Sequence, residues 1–376
     1  MFSSILVLAI AFLSLIALMI IHEFGHFIVA KKFGVRVDEF GIGYPPRLFG
    51  KKIGETIYSV NLLPLGAFVR IYGEEGGVDD YRSFANLKIW KRVLIVIGGV
   101  VAFWIASIIL FSIVFAIGAD IPIGDQDIPN VKNAQVKVIS ISSDSPAETA
   151  GLKPGDTIKE IKVNESSFVI EKINQFQTIT EENKGTEILV LVNRQGEELT
   201  ISLTPRISPP EGEGPVGIGL ERMGNLIEKY PIYLAPIQGV IYTWQMTVSS
   251  VAGLYQVFSN LIAGKGAPEG SSFAGPLGIT VFLANAANYG VGFFLYFIGL
   301  ISIFVAIFNL FPIPALDGGK LIFLLIEKIK GKPVPIKIEQ TITVIFFFLL
   351  ITLSIFITIK FDIPRFSDFL KSSISR

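Results

Sequence analysis

Both histidines of the chain lie in one pentapeptide, His22-Glu23-Phe24-Gly25-His26. On a helix, side chains four positions apart lie on one face, so both imidazoles can bind the same cation. Glu23 can act as a general base toward water at that cation. The alternative is two interfacial histidines near a helix end, which would leave Glu23 as a costly carboxylate beside an apolar helix. The spacing therefore favours a zinc site with Glu23 as its base.

A zinc site of this kind needs a third protein ligand and an open position. The chain has no cysteine and no further histidine, so the third ligand must be an aspartate or a glutamate. Asp317 fits, because it directly follows the uncharged run 270–316 and is preceded by Pro312 and Pro314, which break a helix. The alternative role for Asp317 is the N-cap of the next helix.

The elements that carry these residues are predicted to lie in a membrane. Hydrophobic residues make up 51% of the 376 residues, charged residues only 17%, and the mean hydropathy is +0.59. Soluble domains carry about 25% charged residues. Lys and Arg balance Asp and Glu at 32 each, which excludes a nucleic-acid-binding domain and predicts no nucleic-acid partner. The lipid bilayer is the expected environment.

Four uncharged or nearly uncharged stretches are long enough to span a bilayer. The first, 1–21, lacks the basic start and the small-residue cleavage site of a signal peptide, so we expect a retained helix. The others are 93–119, the apolar part of 285–319, and 341–359.

Charge sets the predicted orientation, because Lys and Arg flank cytoplasmic ends of spans. Residues 31–92 carry eleven Lys or Arg against seven Asp or Glu, and 320–340 carries five Lys against two acids. Both segments are therefore placed in the cytoplasm. Within the first, Thr56 to Tyr72 is rich in β-branched and aromatic residues and predicts a β-hairpin divided by Pro64 and Gly66.

Residues 120–229 have the composition of a soluble domain and are acidic, with eighteen Asp or Glu against eleven Lys or Arg. The pattern predicts a small αβ domain with strands and one short helix capped by Ser145. The segment 208–215 is rich in Pro and Gly and predicts a linker at the exit of the domain. The predicted strands are Val136–Ile141, Thr157–Val163, Glu187–Val192 and Leu199–Leu203.

The segment 231–263 carries no formal charge, and hydropathy alone would allow it to span, although Pro, Gln, Asn and several Ser and Thr residues interrupt it. If it did, the third span would run from inside to outside, and Asp317 would lie a full bilayer away from His26. We therefore expect helices on the outer surface.

Together these motifs resemble the bacterial site-2 proteases, intramembrane zinc metalloproteases, and among them the RseP type. His22–His26 is similar to the HExGH motif of that family, and residues 309–319 to its N-x-x-P-x-P-x-L-D-G-G motif. Further matches run along the chain. They are 64–70 and 72–74 in the β-region, 135–206 with the SPAxxAGLxxGDxI signature of a PDZ domain, 244–248, and 275–278.

The resemblance implies regulated intramembrane proteolysis of single-span proteins, such as anti-sigma factors or remnant signal peptides, usually cut first by another protease. It implies that His22, His26 and Asp317 bind Zn²⁺, that Glu23 is the base, and that Asn309 binds or positions the substrate. The chain departs from the longer relatives in having one PDZ-like domain, and Lys320 stands where many relatives have histidine. The alternative function is a membrane-anchored PDZ binding protein with a structural metal site.

The predicted fold is a multi-pass α-helical membrane protein of the bacterial plasma (inner) membrane, with four transmembrane helices, a membrane-associated β-region and an inserted extracytoplasmic PDZ-like αβ domain. The site is expected toward the cytoplasmic side. The predicted boundaries are 1–30 for the first transmembrane helix, 31–92 for the β-region, 93–119 for the second transmembrane helix, 120–229 for the PDZ-like domain, 230–284 for surface helices, 285–319 for the third transmembrane helix, 320–340 for a cytoplasmic loop, 341–360 for the fourth, and 361–376 for an outer tail.

Overall fold

The computed structural model describes most of the chain. The described residues are 4–74, 76, 80–118, 120–123, 125, 132–194, 196–210, 213–225, 230–264, 273–287 and 290–374. By internal contacts the chain forms two compact units. The first comprises 1–113, 232–287 and 294–376, and the second comprises 114–231 and 288–293.

The described residues form ten α-helices and nine strands. The helices are α1 Ser4–Lys32, α2 Ile89–Ile117, α3 Pro146–Thr149, α4 Ile173–Glu182, α5 Ala235–Ile262, α6 Pro276–Ala287, α7 Val291–Asn309, α8 Asp317–Lys330, α9 Ile336–Ile357 and α10 Ile363–Ile374. The strands are β1 Val37–Ile53, β2 Thr56–Ile71, β3 Asp120–Ile123, β4 Lys132–Ile141, β5 Thr157–Val163, β6 Ser166–Val169, β7 Ile188–Arg194, β8 Glu197–Leu203 and β9 Ile218–Asn225.

Four helical segments of the described chain are long and apolar enough to cross a membrane. They are α1, α2, α7 and the continuous helical stretch Ile336–Ser367, which contains α9 and runs through a π-helical turn into α10. The prediction of four apolar spans is thus confirmed by length and composition. The last stretch continues as α10 where the sequence predicted only a tail after residue 360.

Within the first unit, α2 and α7 are joined by buried serines. The hydroxyl of Ser302 on α7 donates to the carbonyl of Phe103 on α2 at 2.8 Å, and Ser107 donates to the carbonyl of Gly299 at 3.0 Å. Neither serine is exposed. Hydrogen bonds between such small polar side chains and a neighbouring helix hold apolar helices together where the hydrophobic effect between them is weak. The packing therefore fixes α2 against α7.

The β-region of the first unit differs from the hairpin predicted within 56–72. Residues 56–71 form a single long strand, β2, whose partner is β1, and the turn between them is Gly54-Glu55. Gly54 has a φ of +62°, which a glycine adopts without strain. Sequence patterning missed β1 because Pro45, Pro46 and several glycines interrupt its alternation.

In the β-region, part of β1 lies between two stretches of β2. Residues 39–42 of β1 pair with 57–60 of β2 and also with 67–70 of the same strand. Residues 47–53 pair with the other side of the early part of β2. Because 39–42 have partners on both sides, the segment 67–71 lies at an edge of the sheet. One side of that segment faces β1.

The second unit is built on one antiparallel sheet in the order β3-β9-β4-β5-β7-β8, with β6 beside β5. The four strands predicted between 136 and 203 appear as β4, β5, β7 and β8. Ser145 caps the short helix α3 by accepting a hydrogen bond from the backbone N–H of Glu148, as predicted. Branched apolar side chains, among them Val136, Ile161 and Val190, form its fully buried core.

The sequence predicted that the Pro- and Gly-rich segment 208–215 forms the exit of this unit. The structure instead places it before the last strand of the sheet. After it, the chain returns to the sheet as β9, which lies between β3 and β4. Gly217, with a φ of +74°, takes the sharp turn into β9 next to Ser145, where a Cβ would lie 2.4 Å from the Ser145 Cβ. Strands β3 and β9 therefore pair with each other and lie on the β4 side of the four predicted strands.

Helix α5 covers most of the segment whose membrane position the sequence left open. It is not among the four candidate spans. Its Gly239 packs on α2, where a Cβ would lie 2.7 Å from the carbonyl oxygen of Ile108, and Tyr242 shares a hydrogen bond of 2.9 Å with Tyr296 of α7. Phe258 contacts Phe311, just after α7. The outer-surface placement of α5 stays a prediction.

The orientation can be tested by cysteine labelling, since the chain has no cysteine of its own. Tyr81 is 87% exposed and lies in the segment predicted to be cytoplasmic. Ser143 is exposed and lies in the second unit. We expect an impermeant thiol reagent to label Ser143→Cys in intact cells and Tyr81→Cys only after the membrane is permeabilised. Labelling of Tyr81→Cys in intact cells would reverse the predicted orientation.

Candidate metal centre

Three potential ligand atoms converge in the first unit. The Nε2 atoms of His22 and His26 lie 3.2 Å apart, and each lies 3.4 Å from Oδ2 of Asp317. The histidines are one helical turn apart on α1, and Asp317 is the first residue of α8. Among the described residues this is the one group of three or more His, Asp or Glu side chains with ligand atoms this close together.

The spacing fits zinc. Ligands of a tetrahedral zinc ion lie about 2.0 to 2.1 Å from the metal, which places any two of them about 3.3 Å apart. The three atom pairs here span 3.2 to 3.4 Å. Two imidazoles and one carboxylate are also a ligand set that catalytic zinc sites use, with the fourth position open. The residues that would hold the ion are therefore His22, His26 and Asp317.

The histidine rings are oriented by α2. The Nδ1–H of His26 donates to the carbonyl oxygen of Ile95 at 2.9 Å, which leaves Nε2 with its lone pair toward the other two ligand atoms. The ring of His22 stacks on Phe103, with 4.7 Å between the centroids and 20° between the planes. Phe103 is itself buried. Both rings are thus restrained before any ion binds.

Glycines make room for this arrangement. A Cβ on Gly99 would lie 2.3 Å from Nε2 of His26 and 2.5 Å from Cε1 of His22. One residue away in each helix, Gly25 and Gly98 bring the backbones of α1 and α2 together, since a Cβ on Gly25 would lie 2.3 Å from the carbonyl oxygen of Gly98. Small residues such as this glycine pair allow apolar helices to pack closely. The position of Gly99 against the histidines has no signature in the sequence.

Asp317 does not cap α8. The residue before the helix is Leu316, and it makes no side-chain capping hydrogen bond. The carboxylate of Asp317 instead faces the two histidines. Gly318 and Gly319 allow the first turn of α8 to press on the preceding loop, because a Cβ at either position would come within 2.5 Å of loop backbone atoms. These glycines allow the loop and the helix to place the carboxylate beside the histidines.

Two ion pairs hold α8 to the rest of the first unit. Arg92 of α2 pairs with Glu327 of α8, and Lys320 of α8 pairs with Glu74, which follows β2. Arg92 and Glu327 are largely shielded from solvent, where an ion pair is screened less than at the surface. The helix that supplies the carboxylate is thereby tied to α2 and to the β-region.

Glu23 contacts β2. The backbone N–H of Val69 donates to Oε2 of Glu23 at 3.1 Å. Val69 lies in the edge segment 67–71, so the carboxylate next to the ligands is held by a strand rather than by another helix. Patterning could not have found this contact, because a backbone amide has no sequence signature.

Asn309, the remaining predicted site residue, is the last residue of α7. Its side-chain amide donates to the carbonyl oxygen of Val305 in the same helix at 3.0 Å. It lies eight positions before Asp317, at the start of the loop that precedes α8. The structure places it beside this loop, and its role toward a substrate stays a prediction.

Comparison with known proteins finds a family and relatives that match nearly the whole chain. The model of Peptidase family M50 matches residues 10–353. A protein of Clostridium acetobutylicum named as a zinc metalloprotease is 35% identical over 354 residues, which cover 94% of this chain and 96% of that protein. One of Clostridium perfringens with the same kind of name is 33% identical over 350 residues, covering 93% and 96%. The zinc metalloprotease RasP of Geobacillus kaustophilus is 27% identical over 429 residues, covering 93% and 96%.

The position of Gly99 leads to a test. Gly99→Ala should push a methyl group into both imidazoles and lower the affinity for zinc by about 10- to 100-fold, the range found for changes next to metal ligands. Gly253→Ala is the matched control, because Gly253 also lies in a helix and a Cβ there meets nothing within 4 Å. Zinc content after dialysis against a graded chelator measures the difference. Equal retention of zinc by the two variants would contradict the packing argument.

Proposed function

This chain belongs to peptidase family M50, the site-2 proteases, and is a zinc metalloendopeptidase of that type; from this premise we propose that it cleaves transmembrane segments of single-span proteins within the bilayer. The proposal depends on one observation above all. His22 and His26 lie on an apolar helix long enough to span, and Asp317 completes a triangle of ligand atoms with them. Glu23, a carboxylate, lies between the two histidines in the chain.

In this proposal the site residues have separate roles in the reaction. His22, His26 and Asp317 hold the zinc ion, which when bound supplies Lewis-acid chemistry at a scissile carbonyl and makes water nucleophilic at neutral pH. Glu23 accepts the proton of the attacking water at its carboxylate and delivers it to the nitrogen of the leaving amine. Phe103 and Ile95 keep the imidazoles in place, and Asn309 binds or positions the substrate.

A transmembrane substrate must be unwound locally, because a helix keeps its carbonyl groups in internal hydrogen bonds. Among the described residues, the edge segment 67–71 has a strand partner on one side only and lies next to Glu23, so it could hold the unwound stretch as an added strand. We therefore propose that the β-region binds the substrate in an extended conformation beside the metal centre.

The biological setting follows from the resemblance and from the relatives, which are bacterial proteins. The protein is a membrane protein, and we place it in the bacterial plasma membrane with the metal centre toward the cytoplasm. Anti-sigma factors or remnant signal peptides, cut first by another protease, are the proposed substrates.

The division of roles can be tested with purified protein and a reconstituted single-span peptide. Glu23→Gln should keep one zinc ion per chain but lower kcat by about 10²- to 10⁴-fold, the usual contribution of a general base. His22→Ala and Asp317→Ala should lose both zinc and activity. Zinc is measured by elemental analysis and cleavage by mass spectrometry of the products.

Two outcomes would refute the proposal. Turnover of Glu23→Gln at the rate of the unaltered protein would exclude Glu23 as the base. A protein that binds zinc and partner peptides but cleaves no transmembrane peptide would instead support the binding-protein alternative with a structural metal.

The second unit is proposed to act as a filter on substrate size, because its sheet is inserted in the chain between the second and third spans. A folded ectodomain would be excluded and a trimmed stub admitted. The rival role is recruitment of a new carboxyl terminus by a PDZ-type groove, which would depend on strand addition.

Replacing residues 120–225 with a flexible linker distinguishes the two roles. This deletion removes the sheet from β3 to β9 as a whole, so no unpaired strand remains. If the unit filters by size, the deletion variant should cleave short stubs at the normal rate and also cleave substrates with intact ectodomains. A folded, zinc-loaded variant that fails even on short stubs would show that the unit recruits substrates.

A further inference from the structure

The hydrogen bond between Val69 and Glu23 has a consequence for the proposed reaction. One oxygen of the Glu23 carboxylate accepts the N–H of Val69, with 3.1 Å between nitrogen and oxygen. A backbone N–H carries a single proton and makes one strong hydrogen bond at a time. While that bond persists, this oxygen of Glu23 is directed to the strand, and the N–H of Val69 is unavailable to any other acceptor.

The same N–H belongs to the row of groups that an added strand would use. Segment 67–71 has β1 on one side, and the amide of Val69 points away from β1, toward Glu23. Edge strands present such unpaired N–H and C=O groups as a template for another chain. The carboxylate of Glu23 therefore occupies a position that the carbonyl group of a docked peptide would need.

A groove of about 590 Å³ lies beside the end of this segment and the turn that follows it. It is lined by residues 68–74 together with Asp38 and Gly76. Four of the lining residues, 68–71, belong to strand β2, and a strand advances about 3.3 Å per residue, so the extended part of the groove is about 13 Å long. The polar walls include Asp38, Arg70 and Glu74, which suits a peptide whose own backbone groups are not bonded internally.

We propose that the amide of Val69 alternates between two acceptors: the carboxylate of Glu23 when no substrate is bound, and a carbonyl group of the extended substrate when a strand is added to 67–71. Docking of an unwound peptide thereby releases Glu23 for proton transfer. This inference rests on the proposed function, and it assigns to Val69 a positioning role. A peptide that stays helical cannot take the Val69 amide, so it leaves Glu23 restrained.

Competition for one donor can be measured without catalysis. The probe is a fluorescein-labelled peptide of ten residues, alternating valine and N-methylalanine, which can pair along one edge only and resists hydrolysis. Its affinity for detergent-solubilised, zinc-loaded protein is measured by anisotropy. Six proteins are compared: the unaltered chain, a chain in which the Val69 amide is replaced by an ester through α-hydroxyvaline, a chain with the corresponding ester at Ile71, and each of these three with Glu23→Ala.

If Glu23 competes for the amide, Glu23→Ala should tighten binding of the probe by about five-fold in the amide protein, the size expected for one hydrogen bond to a charged group partly compensated by solvent. In the ester protein, which lacks the donor, the same change should leave the affinity within about two-fold. An ester at Ile71, on the same edge segment, is the control: Glu23→Ala should still tighten binding there.

Equal effects of Glu23→Ala in the amide and ester proteins, with zinc content unchanged, would overturn the inference. A separate outcome is the absence of docking. If neither ester weakens binding of the probe, the peptide does not add to 67–71, and the proposed exchange at Val69 is also wrong. Failure of the proposed function is distinct from both, because it appears as absence of cleavage of the reconstituted single-span peptide by the unaltered protein.

Discussion

The contact between the backbones of α1 and α2 is the constraint on which the metal centre depends. Gly25 and Gly98 have no side chain to separate the helices, and Gly99 leaves room for two imidazole rings. Only at this distance can the carbonyl oxygen of Ile95 reach Nδ1 of His26 and the ring of Phe103 stack on His22. A histidine pair on an isolated helix would be free to change rotamer. Here the neighbouring helix selects the rotamers that direct both Nε2 atoms to one point.

The remaining parts of the centre are brought to that pair by polar contacts at low exposure. Serines 107 and 302 fix α7 to α2, and the loop after α7 leads to Asp317. The ion pairs of Arg92 and Lys320 anchor α8 on two sides. The two serines and the pair Arg92–Glu327 would be costly to bury without partners, and each has a specific one. The polar residues of the apolar unit therefore specify which helices are neighbours, while apolar packing supplies most of the contact area.

Much of this arrangement could be predicted from the sequence. The chain has only two histidines, and their spacing places both on one face of a helix. Because the chain has no cysteine, the third metal ligand had to be a carboxylate. The apolar runs gave the spans because hydrocarbon thickness sets a minimum length. Strand β1 was missed because its prolines and glycines hide the period-two pattern, and β9 was missed because it follows a segment that resembles a linker. The bond from Val69 to Glu23 could not be predicted, since it depends on the position of a backbone amide and not on any side chain.

The separation of the ligands along the chain has a consequence for biosynthesis. His22 and His26 are near the start of the chain, while Asp317 begins α8 in its last fifth. At a translation rate of about 5 to 20 residues per second, the carboxylate is made roughly 15 to 60 s after the histidines. During that interval the nascent chain has only two of the three ligands. The three ligands are therefore present together only after α1, α2, the second unit's sheet and α5 to α7 have been made.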